Sequence, residues 1–317
     1  MICHWDEVET GRGEAGRIAG EWTDLGEGAG TKTVGLNRIR IDPGKWSTPF
    51  HRQTAEEEIF FVLAGSGICL LDGSAFEVRP GDCIVHRVRE AHTLRAGDDG
   101  LDVLAFGTRG RTEVGHLPRA GVGWIGGTWT DVGTGDHPWE REAAVGEPEL
   151  PEVGARPHSV VNVDEVEGHA NGQWKLLAKQ AGAELTGLNW GVLHEGEEGA
   201  PPHLHSADEE IFVVLEGEGV FELWPTPQRA RGGLEYEEKV IRAGHVISRP
   251  ASSGIAHGIR AGAPGLTYLA YGTRNANDVC YYPRSNKIYF RGLGLVARLD
   301  DLDFDDGEPQ ERVLGAG

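Results

Sequence analysis

No apolar run in this 317-residue chain approaches the roughly 18–20 residues that a membrane-spanning helix needs. Cysteine is scarce: Cys3, Cys69, Cys83 and Cys280 lie far apart with no CxxC, so no disulfide framework is expected, and the thiols read as buried or free in a reducing compartment. Basic charge is in deficit. Thirty Lys and Arg against 50 Asp and Glu leave a formal −20, which speaks against nucleic acid or an anionic membrane as partner, since both need clustered cations. The start, Met1-Ile2-Cys3-His4-Trp5-Asp6, has no basic stretch leading into an apolar one, so a cytoplasmic protein without a secretory signal is expected. The GxSxG elbow, the P-loop and the dinucleotide fingerprint are all missing, which removes the common nucleophile and phosphate-transfer chemistries.

What the chain does have is glycine, 48 residues of it, spread without a collagen-like period. Between the glycines run four to eight β-branched and aromatic residues, as in Ile59-Phe60-Phe61-Val62-Leu63 before Gly65. No long helical pattern interrupts them. The length allows two domains, each with its own core.

An internal repeat organises these strands. Residues 35–67 laid on 187–219, a shift of 152, are identical at 15 of 33 positions. Farther on the shift is 165: Ala91-His92 falls on Ala256-His257, and Gly107-Thr108-Arg109 on Gly272-Thr273-Arg274. The second copy therefore carries 165 − 152 = 13 extra residues, expected in the Trp224–Lys239 segment as a hairpin extension. Trp22 pairs with Trp174, and Asp6-Glu7-Val8-Glu9 recurs as Asp164-Glu165-Val166-Glu167. The expected organisation is a barrel over 1–130, a Pro-, Gly- and Glu-rich linker over 131–157, and a second barrel over 158–317 ending in an acidic tail. The fold class is all-β, two antiparallel barrels in tandem.

The sharpest chemical signal is Pro201-Pro202-His203-Leu204-His205-Ser206-Ala207-Asp208-Glu209-Glu210. Side chains alternate along a strand, so His203 and His205 face the same way, about 7 Å apart. If that face is the barrel interior, Glu210 on the next strand and His257 on a distant one can join them. Three imidazoles and a carboxylate suit Fe, Mn, Ni, Co or Zn as the divalent ion and leave room for substrate.

These residues resemble the cupin superfamily. Its first motif, G(x)5HxH(x)3-4E(x)6G, is met by His203, His205, Glu210 and Gly217, with a shorter lead from Gly199 and Gly196 as the more distant alternative. Its second, G(x)5PxG(x)2H, is met by Gly244, Pro250, Gly254 and His257, with residues added between Pro250 and Gly254. The resemblance spans nearly the whole chain and is to the bicupins. It implies double-stranded β-helix (jelly-roll) barrels and His203, His205, Glu210 and His257 as metal ligands. A homodimer is compatible with it, because a bicupin monomer resembles a dimer of single barrels.

The first copy departs from the pattern. It keeps His51, Glu58 and His92 but has Gln53 where the second has His205, and His86 stands near the expected proline of the second motif. An amide oxygen is a poor ligand for such ions. Members of the family with glutamine here still bind metal, so His51, Gln53, Glu58 and His92 form a second candidate site, either weaker or specialised, beside the alternative of a barrel kept for packing.

The expected function is a metal-dependent oxidoreductase of the Fe(II) dioxygenase type acting on a small organic molecule. Two alternatives are a Zn- or Mn-dependent isomerase, lyase or decarboxylase, and a non-catalytic small-molecule-binding barrel; fold alone does not choose among them. Phe212, Arg260 and Tyr271 are candidates for the substrate pocket. Arg109 and Arg274, at matching positions, read as structural.

Overall fold

The computed structural model describes residues 1–110, 113–125, 128–130, 137–300, 302 and 306–307. Positions 131–136 of the expected linker and most of the acidic tail lie outside the described residues. Among those described, no helix is long and apolar enough to cross a membrane. The longest helix is Pro138–Val145, inside the expected linker.

Each copy folds as an antiparallel jelly-roll barrel, as the sequence pattern predicts. In the first, Glu58–Leu71 is the central strand, flanked by Asp82–His86 and His92–Thr108, and the latter pairs with Val34–Ile41. The second repeats this with Glu210–Pro225, His245–Arg249, Ile255–Thr273 and Thr186–Leu193. A four-stranded sheet closes each barrel: Arg52–Gln53 with Val114–Leu117 and two further strands, and Leu204–His205 with Val279–Tyr282, Lys287–Phe290 and Leu295–Arg298.

The long central strands bend at matching glycines. Register shifts fall at Val62/Ala64 and Gly65/Gly67 in the first barrel, and at Val214/Glu216 and Gly217/Gly219 in the second. Gly65 has φ 81° and Gly217 φ 79°, and a Cβ on either would overlap the carbonyl oxygen of Gly100 or Gly265. Only glycine fits a bulge of this kind, where backbone meets backbone at positive φ.

The 13 extra residues divide between two places. Gly67↔Val78 and Gly219↔Ile241 are equivalent pairs, so 241 − 78 = 163 places 11 of them in the hairpin, around the short helix Pro227–Arg231. The other two lengthen the turn before His257. The hairpin extension expected at Trp224–Lys239 is thus present but does not hold all the insertion.

The barrels exchange edge strands. Ile2–His4 pairs with His245–Arg249 of the second barrel, and Val160–Asn162 pairs with Asp82–His86 of the first. Ile2↔Ile247 and Val160↔Ile84 are equivalent contacts, so the swap is reciprocal. This gives the recurrent Asp-Glu-Val-Glu a place: it follows the exchanged strand in both copies.

Among the described residues three large apolar clusters result, beside a small one at Ile18, Trp46, Leu70 and Ala75. One fills the first barrel (Ile39, Phe60, Val62, Leu94, Val103) and one the second (Leu193, Phe212, Phe221, Ile259, Tyr268). The largest lies between them, joining Leu36, Phe61 and Phe106 to Leu188, Val213, Leu269 and Tyr271. Strand alternation assigns the residues: Phe60 points into its barrel and Phe61 out toward the other. Two buried carboxylates also cross this interface. Glu57 accepts from the backbone N–H groups of Glu184 (2.8 Å), Leu185 (3.2 Å) and Thr186 (3.0 Å), and Glu209 accepts from those of Lys32 (2.8 Å) and Thr33 (2.5 Å). Charge-assisted bonds of this type satisfy the carboxylates' buried oxygens.

Candidate metal centre

The second barrel brings His203, Glu210 and His257 into one cluster, with His205 beside Glu210. Pro201 and Pro202 hold the chain extended into His203, whose backbone bonds both ways to His257 (N–H to O 3.0 and 2.8 Å). That bridge sets the two imidazoles side by side, ring centroids 4.7 Å apart. His205 enters from Leu204–His205, held by Val279–Tyr282. Glu210 opens the central strand. Its Oε2 lies 3.0 Å from His257 Nε2, 3.4 Å from His205 Nε2 and 3.8 Å from His203 Nε2.

The remote ring nitrogens are fixed by other partners. His203 Nδ1 meets the Pro201 carbonyl at 2.8 Å, and His205 Nδ1 meets Asp278 Oδ2 at 2.7 Å. Asp278 in turn accepts from the backbone N–H of Ala207 (2.9 Å). Burial alone would raise the Asp278 carboxyl, but His205 and these N–H groups hold it down at about 2. A carboxylate behind an imidazole orients the ring and makes its other nitrogen a better donor. Burial also disfavours the Glu210 carboxylate, yet the imidazoles keep its carboxyl well below the usual range. His257 is pushed by burial down to about 4, so it is neutral at physiological pH.

His205 Nε2, Glu210 Oε2 and His257 Nε2 are buried without a hydrogen-bond partner. Buried polar atoms are rarely orphaned, and imidazole nitrogens gathered round a carboxylate fit a divalent cation. Cys280 lies within reach of His203 and His205, but burial pushes its thiol up to about 12, which makes it a poor thiolate donor.

A cavity of about 320 Å³ opens onto these ligands, walled by Trp174, Leu176, Phe212, Ile259 and Tyr268 with one amide, Asn189. The Asn189 Oδ1 is buried and unpartnered. Of the residues expected to line a pocket, Phe212 does so. Arg260 does not: alternation along Ile255–Thr273 turns it away from His257 and Ile259, out to Glu238 at 2.9 Å and Glu222 at 3.7 Å. The Tyr271 ring lies in the core between the barrels, stacked on Phe106 with centroids 5.0 Å apart, although the residue borders a neighbouring polar cavity. Sequence reasoning did not single out Asp278, Asn189, Leu176 or Tyr268; Trp174 was visible as a repeated tryptophan without a role.

In the first barrel Glu58 Oε2 lies 3.2 Å from His92 Nε2 and 3.7 Å from His51 Nε2. Gln53 occupies the position of His205, its Oε1 buried without a partner. His86 stacks flat on His92, centroids 3.7 Å apart and planes 6° off parallel. In that pose the two rings cannot aim in-plane lone pairs at one ion. Bulkier side chains narrow the space above. Thr48 and Thr93 stand where the second barrel has Ala200 and Gly258, joined by a 2.8 Å bond from Thr93 Oγ1 to the Thr48 carbonyl. Trp22, the counterpart of Trp174, lies against Trp139 of the helix Pro138–Val145 at 5.5 Å.

Two antiparallel jelly rolls, with a His3Glu cluster inside one of them, define a cupin-fold protein with a site suited to a divalent metal. In keeping with this, residues 37–106 match the family model described as a cupin domain. No curated protein matches the chain. Among solved structures, oxalate decarboxylase from Bacillus subtilis at pH 4.6 is similar at TM-score 0.60 and 15% identity, over 86% of this chain and 75% of that one. The formate complex of Lactobacillus farciminis oxalate decarboxylase gives 0.59 and 14%, over 86% of each chain. A further Bacillus subtilis oxalate decarboxylase structure, from work on its Mn(II) centres, gives 0.59 and 14%, over 88% and 78%. At such identities the likeness is one of fold.

Proposed function

We propose that the protein is a divalent-metal enzyme whose second barrel holds one ion through His203, His205, Glu210 and His257, and that it acts on a small organic acid by decarboxylation or a related lyase or isomerase reaction. The observation that carries this reading is the convergence of three imidazole Nε2 atoms on Glu210 Oε2, at 3.0, 3.4 and 3.8 Å, beside a cavity of substrate size. A bound divalent ion would polarise a substrate oxygen and stabilise negative charge as a bond to carbon breaks. The protein supplies the rest. Asp278 and the Pro201 carbonyl fix two imidazoles with Nε2 facing inward. The walls formed by Trp174, Leu176, Phe212 and Ile259 exclude water from the reacting end. The unpaired Asn189 carbonyl is placed to accept a hydrogen bond from a substrate hydroxyl or amine. The decarboxylase neighbours support this chemistry over dioxygenation. In the first barrel, His51, Gln53, Glu58 and His92 form a weaker site.

The test is elemental analysis of protein purified without added metal, beside a His203→Ala, His205→Ala double variant, followed by carbon dioxide release and oxygen uptake assays on a panel of small carboxylic acids. About one ion per chain, lost in the variant, with carbon dioxide released and no oxygen consumed, supports the reading. Iron with stoichiometric oxygen uptake would replace it by dioxygenase chemistry. Protein that takes up no metal even on reconstitution would leave a binding barrel.

A further inference from the structure

The last barrel strand ends alike in both copies, at Gly107-Thr108-Arg109 and at Gly272-Thr273-Arg274, and both arginines pack over the matching glycine. A Cβ on Gly35 would lie 3.1 Å from Arg109 Nε, and one on Gly187 3.0 Å from Arg274 Nε. Their partners differ. Arg109 donates through Nη2 to both carboxylate oxygens of Asp24, at 2.9 and 2.7 Å. The repeat shift of 152 puts Leu176 where Asp24 stands, and among the described residues no other carboxylate takes the Arg274 guanidinium.

Arg274 borders a polar cavity of about 330 Å³, which it shares with Asp208, Tyr289, Arg291 and the candidate ligands His205 and Glu210. The other peripheral charges there are committed. Arg291 pairs with Asp208 and lies 3.3 Å from Asp278. Asp208 also accepts from Thr273 Oγ1 at 3.0 Å and from the Asn275 backbone N–H at 2.8 Å. Among the described residues, Arg274 is therefore the cavity cation with no carboxylate hydrogen-bonded to it, although the charges of Glu57 and Asp208 act on it from farther off. The first copy closes the same place: Glu56 stands at the position of Asp208, and its carboxylate lies directly over Gly107. Over Gly272 the nearest atom to a Cβ would be Glu210 Cγ, at 3.3 Å. Loss of the Asp24 carboxylate and withdrawal of the Glu56 counterpart together open a side mouth onto the metal ligands.

We propose that Arg274 is a carboxylate-binding residue, and that this mouth takes an organic acid whose carboxylate pairs with the Arg274 fork while its other oxygen-bearing end faces His205 and Glu210. A planar guanidinium matches a carboxylate bidentately, which makes it a selective recognition group for this chemistry. The inference rests on the metal-enzyme reading only for the end that faces the ligands.

Calorimetric titration of the full chain, metal-free and manganese-loaded, with malonate and with neutral malonamide tests it. Malonate is expected to bind both forms, more tightly with manganese, and malonamide about tenfold more weakly or worse. Arg274→Gln is expected to weaken malonate by about tenfold in both forms with manganese stoichiometry unchanged. Arg109→Gln leaves the titration as in wild type. Absence of malonate binding by the wild-type protein, or equal affinity in Arg274→Gln, overturns the proposal. Failure to take up manganese while the Arg274-dependent binding of malonate persists would instead sink the metal reading and leave this one standing.

Discussion

The two barrels start from the same strand plan, bend at the same glycines and clamp one another with equivalent glutamates, yet their interiors have gone separate ways. In the second, small residues at Ala200 and Gly258 leave a cavity above three imidazoles and a carboxylate. In the first, the larger Thr48 and Thr93 narrow that volume, His86 lies flat on His92, and a helix brings Trp139 onto Trp22. A duplicated fold can thus keep a cavity in one copy and narrow it in the other, because the exchanged strands and the shared core make each barrel part of the other's stability. A few side chains decide which copy is which, and each can be altered.

The largest effect expected is from the His203→Ala, His205→Ala double variant, which removes two donors. Metal affinity should fall by more than about 100-fold, beyond the 10–100-fold typical of losing an outer partner. Competition titration against a chelating indicator measures it, and retained binding would mean the ion sits elsewhere. Asp278→Asn should cost about 10–100-fold, because His205 keeps its nitrogen but loses the carboxylate behind it. An unchanged affinity would reduce Asp278 to a packing residue. Gln53→His restores in the first barrel the imidazole of the second. It should raise metal uptake there by at least about tenfold, read as a move toward two ions per chain, unless the stacked His86 blocks it. The double variant Gln53→His, His86→Arg separates those causes by also supplying the counterpart of Arg249.

The smallest effect concerns pH. In the metal-free protein, burial and then the nearby Glu58 and Glu113 push the Glu56 carboxyl up to about 9. Its folded value lies above the unfolded one, so the folded state holds a proton that the unfolded chain releases. The associated stability is full below the ordinary carboxyl range, near pH 4.5, and is lost as pH rises toward 9. Glu56→Gln should therefore stabilise the protein by about 1–2 kcal/mol at pH 8 and by little at pH 4, measured by urea unfolding. No difference between the two pH values would show that Glu56 is ionised in the fold. At the matching site Asp208 is paired with Arg291, so Asp208→Asn should destabilise instead.

Much of this organisation is legible in the sequence. Period-two alternation around Phe60 and Phe212, with Gly65 and Gly217 at fixed offsets, marks the strands and their bends, since only glycine tolerates the bulge. The HxH spacing puts two imidazoles on one face wherever the segment is extended. Other features are not readable in this way. The role of Asp278 depends on pairing with a strand some 70 residues distant. The exchange of Ile2–His4 and Val160–Asn162 leaves no local trace, because an edge strand has the same pattern whichever sheet it joins. Arg260 was placed at the pocket on nearness in sequence, and a one-residue difference in phase along the strand turned it outward. Arg109 and Arg274 read as equivalent because the repeat equates them; the loss of the Asp24 partner is visible only once the short helices at Leu25–Ala29 and Leu177–Gln180 are seen beside them.

By itself, then, the sequence determined the duplicated all-β plan, the turns that require glycine, and the shared face of His203 and His205, because backbone sterics and strand periodicity act locally. Only the tertiary structure decided that the barrels trade strands, that one interior keeps a cavity where the other is narrowed, and that, among the described residues, one of two matching arginines has no carboxylate hydrogen-bonded to it. Those outcomes depend on which side chains from distant segments meet in the same volume, and packing and charge pairing are settled there rather than along the chain.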